Sequence, residues 1–183
     1  VQTCALPICC LLVADLHFGK AASFRRLGVP VPRGTTEQNL QVLSEAVAAS
    51  GARRVVFLGD LLHSAQGRVP ATLQALAQWR RAHAALDLLL VRGNHDARAG
   101  DPPPELGVQV VDEPLALGGL RLCHHPQERA DGYVLAGHLH PCVVLGGAAH
   151  QRLRLPCFHF GARVGVLPAF GAFTGMHAVR AQP

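Results

Sequence analysis

Residues 86–96 read LDLLLVRGNHD. The apolar run stops at a glycine, and Asn94, His95 and Asp96 follow at once. Short apolar runs bounded by turn residues fit strands covered on both faces. Four other runs end in the same way. CCLLVA (9–14) leads to Asp15 and His17, VVFLG (55–59) to Asp60, LRLC (120–123) to His124 and His125, and YVLAG (133–137) to His138 and His140. In a strand, i and i+2 neighbours leave the same face, so the Asp15-x-His17 spacing aims a carboxylate and an imidazole at one point. In α/β sheets the ligand crevice lies outside the carboxyl ends of the strands, so five such endings can converge on one site. Loop caps and satisfied histidines are the bland alternative, and five agreeing strand ends argue against it.

Helical patterns separate these runs. TTEQNLQVLSEAVAAS (35–50) has capping-box spacing at Thr35 and Gln38, an apolar face of Leu40, Leu43 and Val47, and a stop at Gly51. PATLQALAQWRRAHAAL (70–86) is expected to start at Pro70 and to turn Leu73, Leu76 and Trp79 inward. DPPPELG (101–107) reads as a surface turn. Strands alternating with helices imply an α/β fold, and alternation alone suggests a doubly wound parallel sheet. There is no repeat or linker, so residues 9–183 are expected to form one domain.

Composition bounds the function class. With 183 residues, 49% hydrophobic, and a mean hydropathy of +0.22, the chain can bury a sizeable core. No apolar stretch reaches the roughly 18 residues that span a bilayer. Cysteines 4, 9, 10, 123, 142 and 157 form no CxxC pair, which favours reduced thiols and a cytoplasmic setting. The net charge of +5 comes from sixteen arginines and one lysine, a bias that matches GC-rich codon usage. Basicity therefore does not by itself point to nucleic acid, and no basic block or basic–aromatic interleaving is visible. The first eight residues, VQTCALPI, resemble a translated sequencing-library adapter, which implies a non-native segment and a truncated natural N-terminus.

The motifs ADLHFGKAASFR (14–25), GDLLHS (59–64), GNHD (93–96), GHLHP (137–141), LPCF (155–158) and VLPAFGAFTG (166–175) resemble the calcineurin-like metallophosphoesterases. Within that family they look like the bacterial PdeM branch, the ligase-associated DNA damage response endonucleases. The resemblance implies two facing mixed β-sheets flanked by helices, with a metal site at the C-terminal ends of the strands. It implies two divalent metals, the first held by Asp15, His17 and His140, the second by Asn94, His124 and His138, with Asp60 bridging. It casts His95 as a non-ligand acid, with Asp96 orienting its ring. It further implies a phosphodiesterase acting on nucleic acid in the DNA damage response, in functional association with an ATP-dependent DNA ligase.

The residue types suit that chemistry. Two cations a few ångströms apart need an anionic bridge to offset their repulsion, and together they polarise water against phosphorus. Imidazole and oxygen ligands without thiolate favour Mn²⁺, Fe²⁺ or Zn²⁺ over Mg²⁺ or Ca²⁺, with Mn²⁺ taken first. Spacing from LRLC favours His124 as the ligand and puts His125 behind it. His63 reads equally as a structural partner or a substrate contact, and His83, His150 and His177 as surface or incidental. Lys20, Arg25, Arg26 and Arg33 flank the first ligand loop. Arg25 and Lys20 are the candidate phosphate contacts, against the ordinary reading of arginine as a solvated surface residue. The 155–175 tail is expected to pack the core, with Phe170, Phe173 or Thr174 lining the cleft as the lesser reading. Two other functions stay open: hydrolysis of nucleotides or other small phosphate esters, and a non-catalytic scaffold, against which Asp60, Asn94, His95 and the GHLH pair argue.

Overall fold

The computed structural model describes residues 4–6 and 9–180. Of the amino-terminal octapeptide only Cys4–Leu6 is described, so the expectation of a foreign segment over 1–8 falls largely outside the described residues. In chain order the first elements are β1 (Cys4–Leu6), β2 (Cys10–Val13), α1 (Lys20–Arg26), α2 (Thr35–Ser50) and β3 (Arg54–Leu58). α3 (Pro70–Ala82), β4 (Asp87–Val91), α4 (Asn94–Ala99) and β5 (Val108–Val111) follow. Then come β6 (Leu115–Leu117), β7 (Leu120–Leu122), β8 (Tyr133–Ala136) and β9 (Pro141–Gly146). β10 (Arg152–Pro156), β11 (His159–Phe160), β12 (Val164–Val166) and β13 (His177–Ala178) complete the order.

Two five-stranded sheets form, ordered β1-β2-β3-β4-β5 and β11-β12-β8-β7-β6. In the first, β2 to β5 are parallel and β1 is antiparallel. In the second, β12, β8 and β7 are parallel, with antiparallel strands at both edges. A third sheet of order β10-β9-β13 extends from the end of the second. Alternation alone suggests a single doubly wound sheet; the structure has two mixed sheets, because β6–β7 and β11–β12 are antiparallel pairs closed by short turns instead of crossover helices.

The strand alternation explains the packing. Leu11, Val13, Val55, Phe57, Leu88 and Leu90 face a layer with Leu40, Leu43 and Val47 of α2 and Leu76 of α3. Their neighbours Leu12, Ala14, Val56, Leu58 and Val91 face Leu122, Leu135 and Leu167 of the second sheet and the segment after it. Both faces of β2 and β3 are therefore covered, which is why their sequences are continuous apolar runs. Each large side chain so buried contributes about 1.5–3 kcal/mol.

Helix ends depart from expectation in two places. The Thr35–Gln38 capping box does not form: Gly34, at φ 89°, is the N-cap, and Thr35 is already the first helical residue. Gly51, at φ 62°, ends α2 as expected, its N–H donating to Val47 O. α3 stops at Ala82 because Arg80 Nη1 donates to the carbonyls of His83 (2.8 Å) and Leu86 (2.9 Å), holding the chain in a turn into β4. Leu76 is buried and Trp79 packs against the core, with its indole N–H donating to Ser44 Oγ, whereas Leu73 is half-buried. His83 is not incidental, since its Nε2 lies 2.9 Å from Ser44 Oγ and ties α3 to α2. The expected surface turn at 101–107 contains a 3-10 turn that puts Leu106 into the core. Among the described residues no helix is long and apolar enough to cross a membrane.

Candidate metal centre

The carboxyl ends of β2, β3 and β4 lie together because the strands are parallel, and the ends of β7 and β8 meet them from the second sheet. Of the seven non-glycine residues described with positive φ, five are Asp15, His17, Asp60, His138 and His140, at 48–71°. Asp and His enter this left-handed region more readily than most residues, yet each such residue costs on the order of 1–3 kcal/mol unless its surroundings impose it. Here they do. His17 N–H donates to Asp60 O at 2.8 Å, Asp15 N–H to Gly59 O at 3.3 Å, and His138 N–H to Asp15 Oδ2 at 2.9 Å. Two glycines permit the approach. A Cβ on Gly59, at φ 82°, would lie 2.0 Å from His124 Nδ1, and one on Gly137 would lie 2.6 Å from Asp15 Oδ2.

Two sets of lone pairs converge. In the first, His140 Nε2 is 3.5 Å from Asp15 Oδ1 and 3.3 Å from His17 Nε2, which is 3.7 Å from Asp60 Oδ2. In the second, His124 Nε2 is 2.9 Å from Asn94 Oδ1, 3.0 Å from His138 Nδ1 and 3.5 Å from Asp60 Oδ1. Asp60 thus gives one oxygen to each set. His140 Nδ1 donates to Gly175 O at 2.9 Å and His124 Nδ1 to Leu58 O at 3.0 Å, so in the neutral rings the proton is outside and the lone pair inside. Asp15 Oδ1 is buried with no hydrogen-bond partner among the described residues. Acceptors facing acceptors, around an orphaned carboxylate oxygen, fit a cation between them, and the absence of cysteine from these groups suits a borderline metal.

Electrostatics keeps most of the imidazoles neutral. Burial, then the charges of His140 and Lys20, push His17 down to about 2. Burial also lowers His124 and His138, the latter helped by His124 itself. Burial pulls His140 down as well, but the Asp15 carboxylate 3.5 Å away and the Gly175 carbonyl outweigh it and leave His140 raised. Burial, then the charge of Asp15, raises Asp60 against the His95 N–H that stabilises its carboxylate. A neutral imidazole and an ionised carboxylate are what a divalent ion requires, so an ion would reverse these shifts at Asp60.

All seven expected ligands are gathered here, and His124, fully buried, takes the place between Asn94 and His138. His125 is half-buried and binds Glu113 Oε1 through Nδ1 at 2.6 Å. Asp96 does not orient the His95 ring. Its carboxylate is consumed by the N–H groups of Asp60 (2.7 Å), Gly93 (3.0 Å) and Leu62 (3.0 Å), so it clamps the Asp60 loop onto the start of α4. Burial pushes this carboxyl up to about 6 despite those donors. The His95 ring is held instead by His63 O, 2.7 Å from Nδ1, while the His95 backbone N–H donates to Asp60 Oδ1. His63 stacks on His95 at 4.6 Å, with its Nδ1 3.3 Å from His17 Nδ1, and burial, then His95 and Lys20, lower it to about 4. Glu113 had no signal in the sequence. It accepts the N–H groups of His124 (2.7 Å) and His125 (2.9 Å) from a turn eleven residues upstream of His124.

Lys20 opens α1 directly after the His17 loop, with Nζ 5.8 Å from the Phe173 ring centroid; Arg25 lies at the far end of α1, exposed. Phe170 packs in the core and, with Thr174, lines a cavity of about 380 Å³ beside His140. His150 and His177 are exposed.

A site of imidazole, carboxylate and amide acceptors at the strand ends of a two-sheet α/β fold defines a metal-dependent phosphoester hydrolase. The profile of the calcineurin-like phosphoesterases matches residues 10–140, and the chain belongs to that family. It is similar to the crystal structure of Pseudomonas putida nuclease MPE, with 44% identity, a TM-score of 0.88, and coverage of 98% of this chain and 84% of that one. YfcE, a phosphoesterase from E. coli, matches at 16% identity and a TM-score of 0.43 over 88% of this chain and 79% of that one. No curated protein sequence matches.

Proposed function

We propose that the chain is a phosphodiesterase that cuts nucleic acid, with two divalent cations shared through Asp60 and Mn²⁺ as the first choice over Fe²⁺ or Zn²⁺. The observation that carries this reading is the division of the Asp60 oxygens between two acceptor sets, one with Asp15, His17 and His140, the other with Asn94, His124 and His138. When bound, such a pair of ions supplies Lewis acidity that makes water a competent nucleophile and balances charge on a phosphoryl group. Two carboxylates among seven ligands leave excess positive charge at the centre, matched to a phosphodiester. His95, with Nδ1 committed to the His63 carbonyl, offers Nε2 as the atom that protonates the leaving oxygen, a role worth about 10²–10⁴ in rate. Lys20 adds a cation at the mouth of the same loop.

Identity of 44% to a nuclease over nearly the whole chain supports nucleic acid as substrate. A place in DNA repair beside an ATP-dependent DNA ligase, in the cytoplasm, belongs to the same reading. The test is a Mn²⁺-supplemented panel of single- and double-stranded DNA, RNA, nucleotides and bis(p-nitrophenyl) phosphate. Cleavage of DNA or RNA together with the generic diester is expected. Turnover of nucleotides with none on either polymer would move the chain to small phosphate esters. Failure to take up any divalent metal under reducing conditions would make it a scaffold.

A further inference from the structure

α1 carries Arg25 and Arg26 to the rim of a cavity of about 510 Å³. Seven helical residues span roughly 10 Å, so the cavity opens about one helix length from the His17 loop. Arg33, Thr36 and Glu37 line it from the start of α2, and Thr72 from the first turn of α3. Three guanidiniums therefore face one carboxylate.

These arginines differ from others on the surface. Arg54, Arg92, Arg121 and Arg163 each pair with an acid. Arg25 and Arg26 donate only to the carbonyls of Val31, Pro32 and Gln66, and Arg33 has no hydrogen-bond or ion-pair partner among the described residues. Thr72 is 5% exposed and lies in the cavity wall, yet its hydroxyl has no partner among the described residues. Neither α2 nor α3 has a side-chain cap, so first-turn amides add donors at this end of both helices. An unpartnered hydroxyl in the cavity wall, uncapped amides and unneutralised guanidiniums all suit one kind of ligand, an oxyanion.

Lys20 and Phe24 share helix α1 with Arg25 and Arg26, and Phe173 packs against both Lys20 and Phe24. The two phenyl rings meet edge to face at 5.5 Å, and Phe24 lies 6.3 Å from the His63 ring. Phe173 comes from the far end of the chain, so this alternation of cation and ring exists only in the folded protein. Aromatic faces beside a cationic groove are how proteins hold a nucleic-acid strand independently of its sequence.

We propose that the Arg25–Arg26–Arg33 cavity is a second phosphate-binding site, which grips the backbone of the strand beside the diester at the metal centre, with a base against Phe24 and Phe173. This rests on the nucleic-acid reading above. It makes strand length a determinant of affinity, because a small phosphate ester cannot occupy both places.

The test uses the full chain and the double variant Arg26→Ala/Arg33→Ala. Binding of a fluorescein-labelled single-stranded oligonucleotide is measured by anisotropy without added metal, and cleavage of the same oligonucleotide is compared with that of bis(p-nitrophenyl) phosphate in Mn²⁺. The variant is expected to bind about tenfold more weakly, with the slope of log K against log salt reduced by about 1.4 for two lost phosphate contacts. Its loss of kcat/KM on the oligonucleotide should exceed its loss on the small diester by tenfold or more. Thr72→Val should weaken oligonucleotide binding, and Glu37→Gln should strengthen it. If wild type cuts the oligonucleotide and the arginine variant binds it with unchanged affinity and salt slope, the second site is refuted while the nuclease reading stands. If wild type hydrolyses the small diester but neither binds nor cuts oligonucleotides, both fall together.

Discussion

The two ends of helix α1 meet opposite physical demands. At its start, the His17 loop sits among buried acceptors, with five of the proposed ligands in a backbone region that non-glycine residues avoid and an unpartnered carboxylate oxygen at the centre. At its end, Arg25 and Arg26 are exposed and tethered only to carbonyls. The first region is over-determined, since backbone hydrogen bonds, close glycine contacts and Asp96 all hold one geometry. The second is adaptable, and long side chains there can meet a phosphate without moving the fold. Chemistry that needs sub-ångström placement is built into the strand ends, and recognition that tolerates variation is left on the surface.

Substitutions should separate the two regions by size of effect. Gly59→Ala is expected to be the most damaging, because its Cβ would lie 2.0 Å from His124 Nδ1 on a backbone at φ 82°. A loss of about 4 kcal/mol or more is expected, seen as a fall in Tm of roughly 8–16 °C. Retention of wild-type Tm would show that the strand ends are not as tightly built as described. Asp60→Asn should remove metal and activity together, by more than the roughly 10–100-fold that loss of an outer partner costs. Metal content by elemental analysis, measured beside turnover, checks this. His95→Ala should slow turnover by about 10²–10⁴ while metal content holds, and parallel loss of both would make His95 structural instead.

Glu113→Gln marks the boundary between the regions. The side chain is partly exposed but holds the N–H groups of the proposed ligand His124 and of His125, so metal affinity is expected to fall by about 10-fold, read by titration with Mn²⁺. Burial pushes Glu113 up, but the N–H and imidazole of His125 and the N–H of His124 outweigh it and hold the carboxyl below its ordinary value. A depressed folded pKa stabilises the protein above the ordinary carboxylate range, and that contribution is lost as pH falls through the folded value. The stability difference between wild type and Glu113→Gln should therefore shrink on acidification, and a difference that grew would reverse the assignment.

The chain order of its apolar runs points to the proposed ligand set, since each run ends in Asp, Asn or His and parallel strands bring their carboxyl ends to one side. Gly34 and not Thr35 is the N-cap of α2, because the chain there is in the left-handed conformation that glycine adopts without steric cost. Asp96 is the chain neighbour of His95, but its carboxylate accepts from Gly93 and from the backbone of a loop more than thirty residues away.

What adjacency in sequence carries, such as strand period, glycine stops and a polar residue at a strand end, was legible from the chain alone. Tertiary structure decided what depends on segments distant in sequence coming within a few ångströms: the split of the Asp60 oxygens, the Glu113 support behind His124, and the meeting of Phe173 with Phe24 beside three unpaired arginines. Hydrogen bonds and ion contacts act over about 3–4 Å, and no one-dimensional pattern encodes that proximity.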